Sequence, residues 1–157
     1  MRAGIGFDVH GFADGRALVL GGVAIPGARG LLGHSDADVL CHAIADAILG
    51  AAALGDLGQH FPSSEERWKD AASTELLARA AEIASDAGFA VISVDATILL
   101  EQPALAPYRD GMRKSVAACL GLDVGAVSIK ATTTDGLGLI GRGEGAAALA
   151  VATVEAR

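Results

Sequence analysis

The chain has 157 residues, 52% of them hydrophobic and only 20% charged, which fits one domain with a substantial core and excludes a disordered chain. Its formal net charge of -7 excludes the clustered Lys and Arg footprint of a nucleic-acid binder, so an anionic ligand must be met by metal ions, backbone amides and a few chosen cations. Cys41 and Cys119 lack CxxC spacing, MRAGIGFDVH lacks an apolar signal core, and no apolar run approaches the ~20 residues of a membrane span, so a protein of the reducing cytoplasm is expected.

In chain order, RAGIGFDVH alternates as a strand, with Ala3, Ile5, Phe7 and Val9 on one face and Gly4, Gly6, Asp8 and His10 on the other. Short strands are expected around Leu18 to Leu20 and Val23 to Ile25. A helix follows, capped by Ser35 or Asp36, with Leu40, Ile44, Ile48 and Ala51 at helical spacing and Gly50 or Gly55 as its end. Ser73 is expected to cap a second helix to Ala87, with Leu76, Leu77, Ala80, Ile83 and Ala84 inward and Gly88 as the stop. Phe89 to Leu100 reads as a half-buried strand closed by Pro103. A third helix runs from about Leu105 to Leu120 and ends at Gly121, and strands at Ala126 to Thr132 and Gly145 to Glu155 complete the chain.

This alternation without repeats predicts one mixed α/β or α+β layer structure, taken as α+β with a mixed sheet covered on one face by three helices. The last strand is apolar on both faces, with Ala147, Leu149 and Val151 on one and Ala146, Ala148, Ala150, Ala152 and Val154 on the other. Either one large subunit core or identical sheets in an oligomer could cover the second face.

Asp8 and His10, two apart in a strand, leave the same face within reach of one ion. An isolated DxH is more often an exposed polar face. Asp38, His42 and Asp46, however, form an i, i+4, i+8 stripe on an otherwise apolar helix, and such groups carry a large desolvation penalty when buried without partners or a cation. Asp8, His10 and His42 would make a three-ligand zinc site with an open position, Asp46 orienting His42 from behind. His34 and Ser35, just before the helix, are placed to hold a substrate phosphate near the ion. Near the C-terminus, KATTTDGLGLIGRGEG gathers Lys130, Thr132, Thr133, Thr134, Asp135, Arg142 and Glu144 among glycines, a phosphate-binding composition with a hard oxygen ligand for Mg²⁺ at Asp135. The alternative is a Gly-rich hairpin between two strands. A zinc phosphohydrolase would suit the same groups, since the ion could activate water.

GIGFDVHGF, GHSDADVLCHAIADAILGAAALGDLGQHFP and KATTTDGLGLIGRGEG, in this order and spacing, resemble the three signature blocks of the 2-C-methyl-D-erythritol 2,4-cyclodiphosphate synthase family of the non-mevalonate isoprenoid pathway. The resemblance covers the chain end to end. It implies a homotrimer, the second sheet face packed within it, with active sites at subunit interfaces. It also implies cyclisation of 4-diphosphocytidyl-2-C-methyl-D-erythritol 2-phosphate to the 2,4-cyclodiphosphate with release of CMP.

The resemblance places Zn²⁺ on Asp8, His10 and His42, and Mg²⁺ or Mn²⁺ near Asp135. Substrate contacts are implied at Asp8, His10, His34, Ser35, Asp56, Gly58 and Phe61. Leu100, Pro103, Leu105 and Ala106 are implied for cytidine, and Thr132, Thr133, Asp135, Leu139 and Arg142 for the phosphates and their surroundings, with His34, Thr133 and Asp135 catalytic. Phe61 to Glu65 is implied as a flap. Phe7, Arg142 and Glu144 would border an axial cavity that can take isoprenoid diphosphates. Three positions depart from the family pattern: Asp135 stands for a usual Glu, Ala104 for a common Lys, and Ser63 with Ser64 for acidic flap residues. The expected consequence falls on nucleotide affinity rather than on zinc.

Overall fold

The structure, a computed structural model, describes residues 1–157. Seven strands form: β1 (Arg2–Ala13), β2 (Leu18–Leu20), β3 (Val23–Ile25), β4 (Gly30–Leu31), β5 (Phe89–Leu99), β6 (Val127–Thr132) and β7 (Gly145–Ala156). The helices are α1 (Val39–Ala51), α2 (Leu57–His60), α3 (Ser73–Asp86), α4 (Arg109–Leu120) and α5 (Gly138–Gly141). A mixed sheet has the order β4-β1-β7-β5-β6, with only β5 and β6 parallel, while β2 and β3 form a separate ribbon. The mixed sheet with α1, α3 and α4 on one face is the α+β arrangement expected. No helix is long and apolar enough to cross a membrane.

The seat of α1 on the sheet is set by what β1 lacks. A Cβ at Gly6 would lie 1.9 Å from the Ala43 carbonyl oxygen, and one at Gly4 would lie 2.1 Å from that of Ala47. Glycine there lets the helix backbone rest directly on the strand, and the buried alanines at 43, 47, 148, 150 and 152 keep the approach close. His42, beside Ala43, is thereby held above Asp8 and His10.

The other face of the sheet is bare. Ile5 (69% exposed) and Phe7 (57%) lie there with Val9, and the register pairs Ile5 with Val151 and Phe7 with Leu149. The large single-subunit core is therefore not what covers the second apolar face of β7. Within this chain only Ala147 of that set is buried, while Leu149 and Val151 stay exposed.

Several boundaries differ from the sequence reading. Asp38, not Ser35 or Asp36, caps α1, accepting the N–H groups of Leu40 and Cys41 at 3.1 Å, and the same buried carboxylate accepts those of Gly21 and Gly22. It fastens the β2–β3 turn to the helix and is not part of a metal stripe. α1 ends at Ala51 rather than at a glycine, the left-handed turn being taken by Ala53. α4 starts at Arg109 after a 3-10 turn, and another such turn at Val124–Ala126 delays β6. The Gly-rich loop is no hairpin, because β6 and β7 both pair with β5 and not with each other, and α5 forms within it.

Candidate active site

β1 carries Asp8 and His10 to the α1 side, and the close seat of α1 brings His42 to meet them. The Asp8 carboxylate Oδ2 lies 3.0 Å from His10 Nε2 and 3.0 Å from His42 Nδ1. One donor atom from each of the three residues falls within 4.8 Å of the others, a spread that fits one ion in tetrahedral coordination.

The remaining ring nitrogens decide the donors. His10 Nδ1 lies 2.6 Å from the Leu32 carbonyl oxygen, which can only accept, so Nδ1 carries the proton and Nε2 keeps its lone pair for a metal. His42 Nε2 lies 2.9 Å from Ser73 Oγ and 3.2 Å from Ser35 Oγ. Ser73 donates its hydroxyl to the Asp36 carboxylate and its N–H as well, at 3.0 Å, so its oxygen faces His42 as an acceptor. The chain Asp36–Ser73–His42 thus protonates Nε2 and leaves Nδ1 free. Both imidazoles are turned for metal binding by partners outside the triad.

Electrostatics supports the same assignment. Burial opposes ionisation of Asp8, but hydrogen bonds and charge from His10 and His42 outweigh it and hold the carboxyl well below its ordinary range. The hydrogen bond with Asp8, only partly opposed by burial, raises His10. In the metal-free protein the carboxylate is anionic and shared by two rings, a place for a cation.

This centre opens into a cavity of about 270 Å³ whose wall includes His34, Ser35, Leu57, Phe61, Ser63 and Trp68. His34 faces Glu65, its Nε2 lying 3.3 Å from that carbonyl, and the Asp70 N–H returns to the His34 carbonyl at 2.9 Å, so the Phe61–Glu65 segment folds over the cavity. Ser35 is buried and its hydroxyl turns toward His42. Asp56 caps α2 through the Gln59 N–H, and Gly58 lies within that short helix.

Two residues do other work than the sequence suggested. Asp46 does not touch His42; it accepts the Leu57 N–H at 2.7 Å, tying α2 to α1. Ser73 is the first residue of α3 rather than its cap. Two partners were missed outright: the Leu32 carbonyl and the Asp36–Ser73 relay. A backbone carbonyl has no side-chain signal, and Asp36 and Ser73 read equally well as helix caps.

A second cavity of about 330 Å³ gathers Leu100, Pro103, Leu105, Ala106, Thr132 and Thr133. The Gln102–Pro103 peptide is cis. Beyond β6, Thr133 donates to Asp135 Oδ1 at 3.4 Å, and Asp135 sits at φ 53° at the head of the Gly-rich loop. Arg142 closes a bidentate pair with Glu144, both contacts 3.1 Å, and Leu139 is exposed on α5.

The two cavities stand apart. Asp8 pairs with Ala148, Ala148 with Ile98 and Ile98 with Ala131, so three strand spacings, about 14 Å, separate the triad from the start of the Thr132–Asp135 segment.

Fold and site define a class, a small α+β protein with three oriented donors in an open cavity and a separate loop rich in hydroxyls and glycine. A family model, the YgbB family, matches residues 1–155. The curated 2-C-methyl-D-erythritol 2,4-cyclodiphosphate synthases of Chlorobaculum tepidum and Salinibacter ruber are each 57% identical over 155 residues, covering 99% of this chain and 99% of theirs. Among solved structures, the bifunctional IspDF of Campylobacter jejuni aligns with TM-score 0.95 and 42% identity, covering 99% of this chain and 42% of that one. A CDP-bound 2C-methyl-D-erythritol-2,4-cyclodiphosphate synthase aligns with TM-score 0.90 and 32% identity, covering 98% of this chain and 100% of that one. The chain belongs to the YgbB family, and with it to the enzymes that make 2-C-methyl-D-erythritol 2,4-cyclodiphosphate for isoprenoid biosynthesis.

Proposed function

We propose that the protein cyclises 4-diphosphocytidyl-2-C-methyl-D-erythritol 2-phosphate to 2-C-methyl-D-erythritol 2,4-cyclodiphosphate with release of CMP, at sites completed between the subunits of a cytoplasmic homotrimer. The observation that carries this reading is the triad, three donors turned toward one point in a cavity that remains open to a ligand. Zn²⁺ on Asp8, His10 and His42 would polarise a phosphate oxygen as a Lewis acid, and Mg²⁺ or Mn²⁺ at Asp135 would offset charge on the leaving CMP.

The reaction joins two ends of one substrate, so the protein's part is to fold the chain of phosphates back on itself and neutralise charge. No protein nucleophile is required. His34, Phe61 and Leu57 enclose the space beside the triad, which excludes water from the phosphorus centre and favours the substrate's own phosphate as the attacking group. Thr132, Thr133 and the Leu100–Ala106 segment offer hydroxyls and backbone to the nucleotide half.

The separation of the two cavities supports a shared site. A single diphosphate cannot reach both the triad and the Thr132–Asp135 segment of one chain across about 14 Å of sheet. A second copy must supply one of them, and the bare apolar face of Ile5, Phe7, Val9, Leu149 and Val151 supports close packing of copies. An isoprenoid diphosphate held by Phe7, Arg142 and Glu144 belongs to the same assembly, with the exposed Phe7 ring as its apolar wall.

Product analysis tests the chemistry. Cyclic diphosphate and CMP are expected, whereas a linear phosphate would make the protein a hydrolase. His42→Ala should lose bound zinc and activity together, and unchanged zinc occupancy would refute the triad. Two inactive variants, His42→Ala and Asp135→Asn, should recover part of the activity when co-assembled, because mixed trimers contain some intact interfaces. No recovery would place the whole site in one chain.

A further inference from the structure

Most of the cations on this acidic chain are engaged. Arg29 pairs with Asp14, Arg67 with Glu65, Lys69 with Glu66, Arg79 with Glu82, Lys130 with Asp95 and Arg142 with Glu144. Arg113 grips the carbonyls of Val124 and Val127, and Arg16 those of Gly33 and Ser35. Arg109 has no ion pair or hydrogen bond. It is the first residue of α4, and its side chain forms part of the wall of the cavity lined by Leu105, Thr132 and Thr133. It is the only cation in that wall. The one acid there, Glu101, is occupied by the N–H and hydroxyl of Thr134 at 2.7 and 3.1 Å.

An unpaired guanidinium beside the exposed Thr132 and Thr133, whose hydroxyls are held only by neighbouring loop residues, is suited to an anion with several oxygens. Arg109 also borders a neighbouring recess with Asp110, Arg113 and Ser128.

We infer that Arg109 is a substrate-binding residue of the nucleotide cavity, its guanidinium contacting a phosphate of the bound cytidine nucleotide. The inference rests on the reading of this cavity as the nucleotide site. Arg109 acts there with Thr132 and Thr133 and answers the need set by the net charge of -7, a locally placed cation in place of a basic surface. It is a determinant of how strongly the phosphates, rather than the base, hold the nucleotide.

Binding of CDP and of cytidine to the intact protein, followed by calorimetry, tests it. Arg109→Gln should weaken CDP about ten-fold or more, the scale of one charge-assisted contact, and leave cytidine unchanged. Arg109→Lys, which keeps the charge and loses the fork, should fall between. Melting temperatures should be unchanged, since the side chain has no partner within the fold. Equal weakening of CDP and cytidine, or unaltered CDP binding, would overturn the phosphate contact. Thr133→Ala separates the two levels: if it weakens CDP while Arg109→Gln does not, only the role of Arg109 fails, and if neither does, the nucleotide cavity itself is wrong.

Discussion

The cavity beside Asp8, His10 and His42 and the cavity beside Thr132 and Thr133 are built in opposite ways. Around Asp8, His10 and His42, each ring nitrogen that a metal would not use has a partner within the chain, from the Leu32 carbonyl to the Asp36–Ser73 relay. Around Thr132, Thr133 and Asp135 the side chains are largely exposed, and the nearby Arg109 has no partner at all. The first region is finished by folding, and the second is not. Precision at the Asp8, His10 and His42 donors comes from close packing in one chain, whereas the Thr132–Asp135 side chains have little around them to fix them.

The largest break of that contrast would come from the floor of the first region. Gly6→Ala drives a methyl group into the Ala43 carbonyl, 1.9 Å from where the Cβ would stand, so α1 must lift from β1. A loss of about 3 kcal/mol or more is expected, since backbone rather than a flexible side chain is in the way. Thermal unfolding checks this, with bound zinc falling alongside. An alanine tolerated at normal stability would mean that the helix is not seated as described.

Ser73→Ala is a gentler probe, because it removes the acceptor that turns His42 while leaving all three ligands. Zinc affinity should drop about 10-fold to 100-fold, in line with the effect of outer partners on metal ligands, with a stability loss of about 1–3 kcal/mol from the buried hydroxyl. Competition with a chromogenic chelator measures it. If affinity is unaltered, Ser35 alone suffices to orient the ring.

The smallest effect lies in pH. In chelator-treated protein Asp8, held low, contributes stability that is complete above the unfolded carboxylate value of about 3.9 and disappears as pH falls below it. His10, raised, contributes stability that is complete below the unfolded imidazole value of about 6.5 and disappears as pH rises through its elevated folded value. The metal-free pair should therefore stabilise most between those limits, by on the order of 1 kcal/mol. Zinc requires neutral imidazole, so its stabilisation should instead grow through the same upper limit. Melting curves with and without zinc should diverge as pH rises from 6 to 8, and parallel curves would separate His10 from the metal.

The contrast also explains what could be read from sequence. The DxH of β1, the apolar-on-both-faces β7 and the helical spacing of α1 are periodic signals, and each located its element and its face. Asp38 was misplaced because Ser35, Asp36 and Asp38 can all cap a helix, and only the turn at Gly21 and Gly22 selects among them. Ser73 carries the same ambiguity, since its partner His42 is 31 residues away. Arg109 has no periodic or motif signal. Its interest comes from what surrounds it in space and from the pairing of the other cations.

β1 turns its even residues, Gly6, Asp8 and His10, toward α1 and its odd ones, Ile5, Phe7 and Val9, to the exposed face. A one-residue deletion or insertion between Gly4 and His10 would exchange these sets at a stroke, turning an imidazole outward and a phenyl ring against α1. The strand can vary in the identity of its outer residues but not in its length.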